Sequence, residues 1–438
     1  MIFSRLIIYI KMNIRHILIF SLLIVLLLVV MKKYKLVKLA NNPHNYYFDN
    51  NATTFVYDEN IEREIIKWLK CGNPSNVLHA EGLRAKQKID ECRKIIADDL
   101  LADESEIYFT SGATEANNLA IRGTIDHHIE KNPGERFTII TTNFEHPSVT
   151  NIFKHYGTSH NSVVDVIYVN VRADPKDEYY GSINPTDVEH AISYAKSKVI
   201  LLSIMYANNE TGAIQNIKDI GTIAKKHGIY FHSDVTQAIG KFIIHPNELN
   251  LDSISFSAHK FHGPKGIGCL YLKKQCNDIE NLCYGGEQEY SKRPGTENVS
   301  FIVAMTMALK NAHNDIENTN TRLLKYRQYL KNELEKMDVI CIEPHYAVLP
   351  NTLLVVLKDI DTCNKNFARE LSNEKNICVG ISSACQTSHN SLVLSAMKIP
   401  EQNQDKIMRI SMSYLNTMNE CEYLVECLRE LLEKHRKK

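Results

Sequence analysis

The sequence predicts an α/β protein: a mostly parallel sheet in a large domain, then a smaller α+β domain. Three observations carry this. From about residue 45 the chain alternates strand-like and helix-like runs. The strand-like runs are continuously apolar, the pattern of a parallel sheet covered on both faces. After about residue 300 the regular alternation stops, which divides residues 45–300 from residues 301–438.

In chain order, residues 1–44 come first, as a basic and hydrophobic leader. Ile17 to Met31 reads ILIFSLLIVLLLVVM, interrupted only by Ser21, with Arg15 and His16 before it and Lys32, Lys33, Lys35 and Lys38 after it. A helix of that length rises about 22 Å against a hydrocarbon core of about 30 Å. Flanking Lys and Arg can reach the interface and make up the difference. The segment 16–31 therefore reads as a transmembrane anchor, and the more basic C-terminal flank puts the bulk of the chain on the cytosolic side. Two other readings stand beside it: a targeting peptide for organelle (mitochondrial) import, or a chain that starts at Met31 and is cytoplasmic.

The large domain takes its strands from Phe137–Thr142, Val164–Val171, Val199–Tyr206, Ile229–His232, Ser253–Ser257 and Gly268–Leu272. A helix over Ile217–His227 follows Asn216 as cap and stops at Gly228. In the smaller domain, Thr321–Met337 is an amphipathic helix and Phe367–Asn373 a short one. Thr352–Leu357 and Met408–Ser413 are strands. Thr417 with Glu420 forms a capping box that opens the last helix.

Composition narrows the function. The 438 residues hold 51 Lys and Arg against 51 Asp and Glu, so no basic surplus points to nucleic acid. The balance is uneven: residues 1–48 contain no acid, and Asp49 is the first. The remainder is net acidic. With 44% hydrophobic and 23% charged residues the chain is globular. Eleven Cys without a CxxC pair argue against a disulfide framework or zinc ribbon and for a reducing compartment.

The chemistry gathers at strand ends. The run IYFHSDVTQ, Ile229–Gln237, ends a strand and projects Asp234 and Gln237. Ligands of open α/β sheets bind just outside the carboxyl ends of the strands. The next strand ends in Ser257-Ala258-His259-Lys260. A Lys beside an Asp there is what a pyridoxal phosphate site needs: the amine bonds the cofactor and the acid pairs with the pyridinium nitrogen. Phe109–Asn118, FTSGATEANN, runs from a strand through a small turn into a helix whose N-terminus can cradle a phosphate. His146, in NFEHP, lies just past a strand end where an imidazole can stack on an aromatic ring. His259 and His262 do not read as a metal site. The glycines of HGPKGIG follow the Lys and do not open a dinucleotide-binding turn.

These stretches, in this order, resemble the NifS-like cysteine desulfurases of the class V aminotransferases. The resemblance also rests on YFDNNATT (Tyr47–Thr54), GNPSNVLHAEG (Gly72–Gly82), MYANNETG (Met205–Gly212), SAHKFHGPKGIG (Ser257–Gly268), RPGTEN (Arg293–Asn298) and SSAC (Ser382–Cys385). It implies the fold type I of PLP-dependent transferases, with a mostly parallel seven-stranded type of sheet, and pyridoxal 5'-phosphate as cofactor. Lys260 would hold the cofactor and shuttle protons, Asp234 would pair with the ring nitrogen and Gln237 with the ring oxygen. Asn209 would contact the ring and His146 would stack on it. Ala113, Thr114, Ser257 and His259 would bind the phosphate, and Thr296 that of the partner subunit, which implies a homodimer. Arg409 and Asn51 would bind the substrate, Arg409 through its carboxylate. Cys385 would be the nucleophile, which needs a thiolate and a loop that carries it to the substrate sulfur.

The expected activity is conversion of L-cysteine to L-alanine with a persulfide on Cys385. The sulfur would go to an acceptor protein for iron–sulfur clusters or tRNA thiolation. A selenocysteine lyase, another class V aminotransferase, or a membrane-tethered homologue with weakened catalysis are the alternatives. Three stretches depart from the family pattern. Gly285–Ser291 reads GGEQEYS where GGGQERG is usual, Ser411–Tyr414 reads SMSY where SLGR is usual, and the Cys stretch reads VGISSAC without the Gly before Ser-Ala-Cys.

Overall fold

The computed structural model describes residues 46–158, 163–381 and 391–436. Twelve strands are present among them: β1 (Tyr46–Phe48), β2 (Ile107–Thr110), β3 (Phe137–Thr142), β4 (Val164–Val169), β5 (Lys198–Ser203), β6 (Tyr230–Asp234), β7 (Ser253–Ser257), β8 (Gly268–Leu272), β9 (Ile340–Ile342), β10 (Thr352–Val356), β11 (Ile377–Val379) and β12 (Ile407–Ser411). Seven of them form one sheet in the order β2-β8-β7-β6-β5-β3-β4. The pairings β7–β6, β6–β5, β5–β3 and β3–β4 are parallel, while β8 runs antiparallel to both its neighbours. Every residue of β2, β3, β7 and β8 is buried. Helices therefore cover both faces, as the continuous apolar runs require.

The expected runs of β4 and β5 extend past the ladder. The last β3–β4 pair is Thr142 with Val169, and beyond it Val171 N–H bonds the side chain of Asn143 at 3.1 Å. Beyond β5, Tyr206 N–H reaches the carbonyl of Asp234 at 2.9 Å, and Ala207 turns to bridge Ile214. Apolar residues continue there because the loop floor is also buried, so hydrophobicity alone overstated the strands. The helix Ile217–His227 has the expected ends: the Asn216 side chain accepts from Asp219 N–H, and Gly228 sits at φ +62°. The amphipathic helix expected from Thr321 begins five residues earlier, at Ile316. The final helix opens on the Thr417–Glu420 capping box.

Residues after 300 supply an antiparallel sheet, β12-β10-β9, with Thr352 opposite Ser411 and Val356 opposite Ile407. β1 pairs with β11. The segment after β1 is bound to both sheets. Asn50 N–H bonds Ser411 O at 3.1 Å, and Thr54 N–H bonds His259 O at 2.8 Å. Among the described residues no helix is long and apolar enough to cross a membrane. The segment 16–31, read as an anchor, lies outside them.

The unusual stretch Gly285–Ser291 is held by a buried ion pair. Glu289 meets Arg93 through two hydrogen bonds, at 2.6 and 2.8 Å, with side chains 1% and 6% exposed. Glu289 also accepts from Phe109 N–H in β2 at 2.8 Å. Aiming it inward puts Glu289, Tyr290 and Ser291 at φ +46°, +54° and +64°, a left-handed run that costs non-glycine residues energy. Tyr290 repays part of this by placing its ring 5.3 Å from the Arg93 guanidinium. Removing one partner strands the other charge. Glu289→Ala is expected to lower the unfolding free energy by about 3–5 kcal/mol in urea titration, more than surface pairs such as Lys94–Asp98 supply.

Candidate active site

A cavity of about 290 Å³ opens at the carboxyl ends of the parallel strands. β6 ends in Asp234, β7 ends in Ser257, and a single turn after β7 presents Lys260. Asn51, His146, Asn209, Asp234, Gln237 and Lys260 line the cavity, with Ala113, Thr114, Ser257, His259 and Arg409. These residues are scattered over most of the chain, so the sheet assembles them. Two residues expected at the site are not in this lining. Thr296 is exposed and lies with Ser111, Gly266 and Arg293 around a separate cavity. Cys385 lies outside the described residues.

Lys260 Nζ donates to the carbonyls of Asn51 (2.6 Å) and Ala52 (2.9 Å). Asn51 O also accepts from Gln237 Nε2 at 3.0 Å, and among the described residues Gln237 Oε1 is buried without a partner. Asp234 takes Asn117 Nδ2 at 2.9 Å on one oxygen and Thr236 N–H at 3.0 Å on the other. Beside it, His232 is held between Ser203 and Ser255, and burial pushes its pKa down to about 4. His232 is thus a neutral neighbour of Asp234.

At the other end stands the N-terminus of the helix Ala113–Lys131, whose cap is Gly112 with no side chain to occupy the free N–H groups. Ala113 N–H meets Ser257 Oγ at 2.7 Å. Only a Gly at 268 permits this turn, since a Cβ there would lie 2.6 Å from Gly112 Cα. His259 contacts Thr53 Oγ1 at 3.0 Å, and burial together with Lys260 and Lys265 pushes its pKa down to about 4. The residues present fit pyridoxal phosphate: uncapped amide donors for an anion at one end, a carboxylate and an amine at the other, and an orphaned amide oxygen between.

Arg409 is 1% exposed and is already engaged, by Asp49 at 2.6 Å and the Asn209 carbonyl at 2.9 Å. Its Nε has no partner among the described residues. A Cβ on Gly380 would lie 2.6 Å from Asp49 Oδ1 and 2.9 Å from Arg409 Nε, so only glycine fits beside this pair. Asp49 was missed by sequence reasoning, although it is the first acid of the chain. Also missed were Asn117, which touches the site only through other side chains, Ser148, which lines the cavity beside His146, and Glu210, which accepts from Ser391 Oγ at 2.8 Å.

Glu145 was missed too, although it is the neighbour of His146 in NFEHP. It lines the cavity, and its Oε1 accepts from Thr142 Oγ1 (2.8 Å) and Met205 N–H (2.9 Å). Its Oε2 is buried without a partner among the described residues. Burial, with a contribution from Asp234, pushes its pKa up from 4.5 to about 8. The folded chain then keeps a proton that the unfolded chain loses, so this group's contribution to stability falls as pH rises from about 5 to 8. Glu145→Gln is expected to gain on the parent by about 1 kcal/mol or more over that range, read from urea unfolding at pH 5, 6.5 and 8. A difference that stays flat would show that Glu145 is already ionised.

The sequence profile of the family "Aminotransferase class-V" matches residues 46–424. The cysteine desulfurase IscS of Methanosarcina thermophila is 38% identical over 394 residues, 89% of this chain and 92% of the relative. A solved structure named NifS-like protein superposes with a TM-score of 0.78 at 34% identity, covering 89% of this chain and all of that one. Another, SspA in complex with cysteine, gives 0.69 at 30% identity, covering 85% and 99%. The membrane-anchored placement read from residues 16–31 is corrected here. The relative matched over 92% of its own length is an IscS-type enzyme, and no described helix is long and apolar enough to cross a membrane. With this profile and these relatives the chain belongs to the class V aminotransferase family, among its cysteine desulfurases.

Proposed function

We propose that the chain is a PLP-dependent cysteine desulfurase that converts L-cysteine to L-alanine and leaves the sulfur as a persulfide on Cys385. The observation that carries this reading is the convergence of Lys260, Asp234 and Arg409 on one cavity. Pyridoxal 5'-phosphate, the family's cofactor, supplies when bound an electron sink for charge developing at the substrate Cα. Lys260 would hold it through Nζ and move the proton of the substrate Cα. Asp234 would face the ring nitrogen, Gln237 the ring oxygen, and His146 and Asn209 the ring. Ala113, Thr114, Ser257 and His259 would hold the phosphate. Arg409 and Asn51 would receive the substrate; a guanidinium matches a carboxylate with two parallel hydrogen bonds.

The Cys385 thiolate would attack the substrate sulfur. The Cβ–S bond breaks, its electron pair stays on the three-carbon fragment, and that fragment takes up protons and leaves as alanine. The chain on either side of Cys385 supports this assignment. Gly380 is bonded to Arg409 in both directions, and Leu392 and Val393 line the cavity. Five residues separate Cys385 from Gly380, a reach of at most about 18 Å. The persulfide sulfur then passes to an acceptor protein, for iron–sulfur cluster assembly or tRNA thiolation.

A homodimer completes the reading, with Thr296 at the partner's phosphate. In support, Thr296 is exposed away from its own chain's cavity. Leu78 and Tyr284 are 94% and 89% exposed, and a Gln288–Ser75 hydrogen bond ties their two segments together. Such an apolar surface asks for a cover.

Two outcomes are expected. Cys385→Ala retains cofactor absorbance, but alanine and sulfide production from cysteine fall by about 100-fold or more; sulfide release at the parent rate defeats the assignment. Leu78→Asp shifts the light-scattering mass from two chains towards one, and turnover falls with it.

A further inference from the structure

His146 is the one imidazole in the cavity whose protonation the surrounding bonds decide outright. Its Nδ1 lies 3.1 Å from the backbone N–H of Ser148 and 2.7 Å from the Ser148 hydroxyl. A backbone N–H can only donate, so this contact favours Nδ1 as acceptor, at the longer of the two distances. The hydroxyl is oriented the same way. Asn117 Nδ2 donates to Ser148 Oγ at 2.9 Å, which turns the hydroxyl hydrogen towards His146. Asn117 in turn cannot be flipped, because the same Nδ2 donates its other hydrogen to Asp234 Oδ2 at 2.9 Å. Asn117 is fully buried and its Oδ1 has no partner among the described residues, so these two donations set the amide.

We propose that Ser148, aligned by Asn117 from Asp234, is a positioning residue that keeps the His146 proton on Nε2, so that this imidazole acts towards the cavity as a hydrogen-bond donor. The proposal rests on the desulfurase reading above and assigns residues that reading does not use. Among the described residues Nε2 takes no hydrogen bond within the protein, which leaves its N–H for whatever occupies the cavity. The charged and titratable groups around His146 agree with a neutral ring. Burial lowers its pKa; Asp234 acts against this and Lys260 with it. His259 is itself held neutral, and burial keeps Glu145 protonated. A second proton, on Nδ1, would face two donors.

The order of the relay has a chemical consequence. Asp234 is the carboxylate expected under the cofactor nitrogen. Through Asn117 and Ser148 it also fixes the tautomer of the ring expected over the cofactor face. One acid thereby sets both the electron demand on the ring and the donor above it. A donor at Nε2 can hold a developing negative charge or deliver a proton. An acceptor there could do neither.

The test uses the full-length, PLP-loaded protein labelled with ¹⁵N-histidine. His146→Asn serves only to assign the ring signals. At pH 8 the two-bond ¹⁵N–¹H spectrum is expected to show His146 with its proton on Nε2. Ser148→Ala removes the shorter of the two donations and leaves only the 3.1 Å backbone N–H, so it should move the two ring nitrogens part of the way towards each other in shift, as the Nδ1–H tautomer gains population. It should also lower kcat by about tenfold with little change in KM for cysteine. Ser148→Thr, which keeps the hydroxyl, should restore both. The proposal is overturned by a proton on Nδ1 in the unsubstituted protein, or by a Ser148→Ala protein in which either the ring shifts or kcat stay unchanged. Absence of alanine production in the unsubstituted protein would instead remove the desulfurase reading, and the ring shifts would still decide the hydrogen-bond assignment.

Discussion

Asn51 is the residue on which the site depends. It is 1% exposed, and each of its polar groups is spent on a different part of the chain. Its carbonyl takes Lys260 Nζ and Gln237 Nε2, which follow β7 and β6 of the large sheet. Its side-chain amide donates to Thr352 Oγ1 at 2.8 Å and accepts from Asn351 at 3.1 Å, both at the start of β10 in the smaller sheet. Its N–H meets Ser411 Oγ of β12 at 3.0 Å. Two sheets that share no ladder are thus locked in register across the cavity by one buried amide. Buried polar groups that are fully satisfied specify a single arrangement better than apolar contacts do.

Around that hub the charges are sorted by burial. Asp234 faces the cavity beside the neutral imidazole of His232, and His259 at the other end is neutral too, both pushed well below the ordinary histidine range. Glu145 is held protonated in the same region. Had these groups been charged, the field at the cofactor ring would be set by several competing charges. As built, fewer of them compete with Asp234 and Lys260. Arg409 also lines the cavity, and Asp49 pairs with it at 2.6 Å. A substrate carboxylate would therefore meet a guanidinium that is already oriented and partly satisfied. That favours discrimination over bare affinity, because only a group that bonds in the remaining geometry improves on the existing pair.

Much of the site was legible in the sequence. Strand ends, a Lys beside an Asp and a small turn before a helix are local features, and eleven of the residues they and the family resemblance nominated line one cavity. The misses have a common form. Asp49, Asn117 and Glu145 act through contacts whose partners lie far away in the chain: Asp49 meets Arg409, Asn117 meets Asp234 and Glu145 meets Met205, while Ser148 adjoins His146 but is aligned by the distant Asn117. No periodicity or motif spacing marks such pairs. The overlong strands at β4 and β5 are a different kind of miss, since buried loops and buried strands share the same hydrophobic signal.

The sequence by itself determined the sheet, its order of elements and which residues were nominated for the cavity. These follow from local patterns of apolar residues, caps and turn residues, and from motifs short enough to be read in one stretch. Only the tertiary structure decided the states of those groups. Which nitrogen of His146 carries the proton, which acid holds Arg409 and whether Glu145 is ionised all depend on donors and acceptors brought together from opposite ends of the chain. A hydrogen bond fixes a proton only when both its atoms are in place, and that is settled by folding.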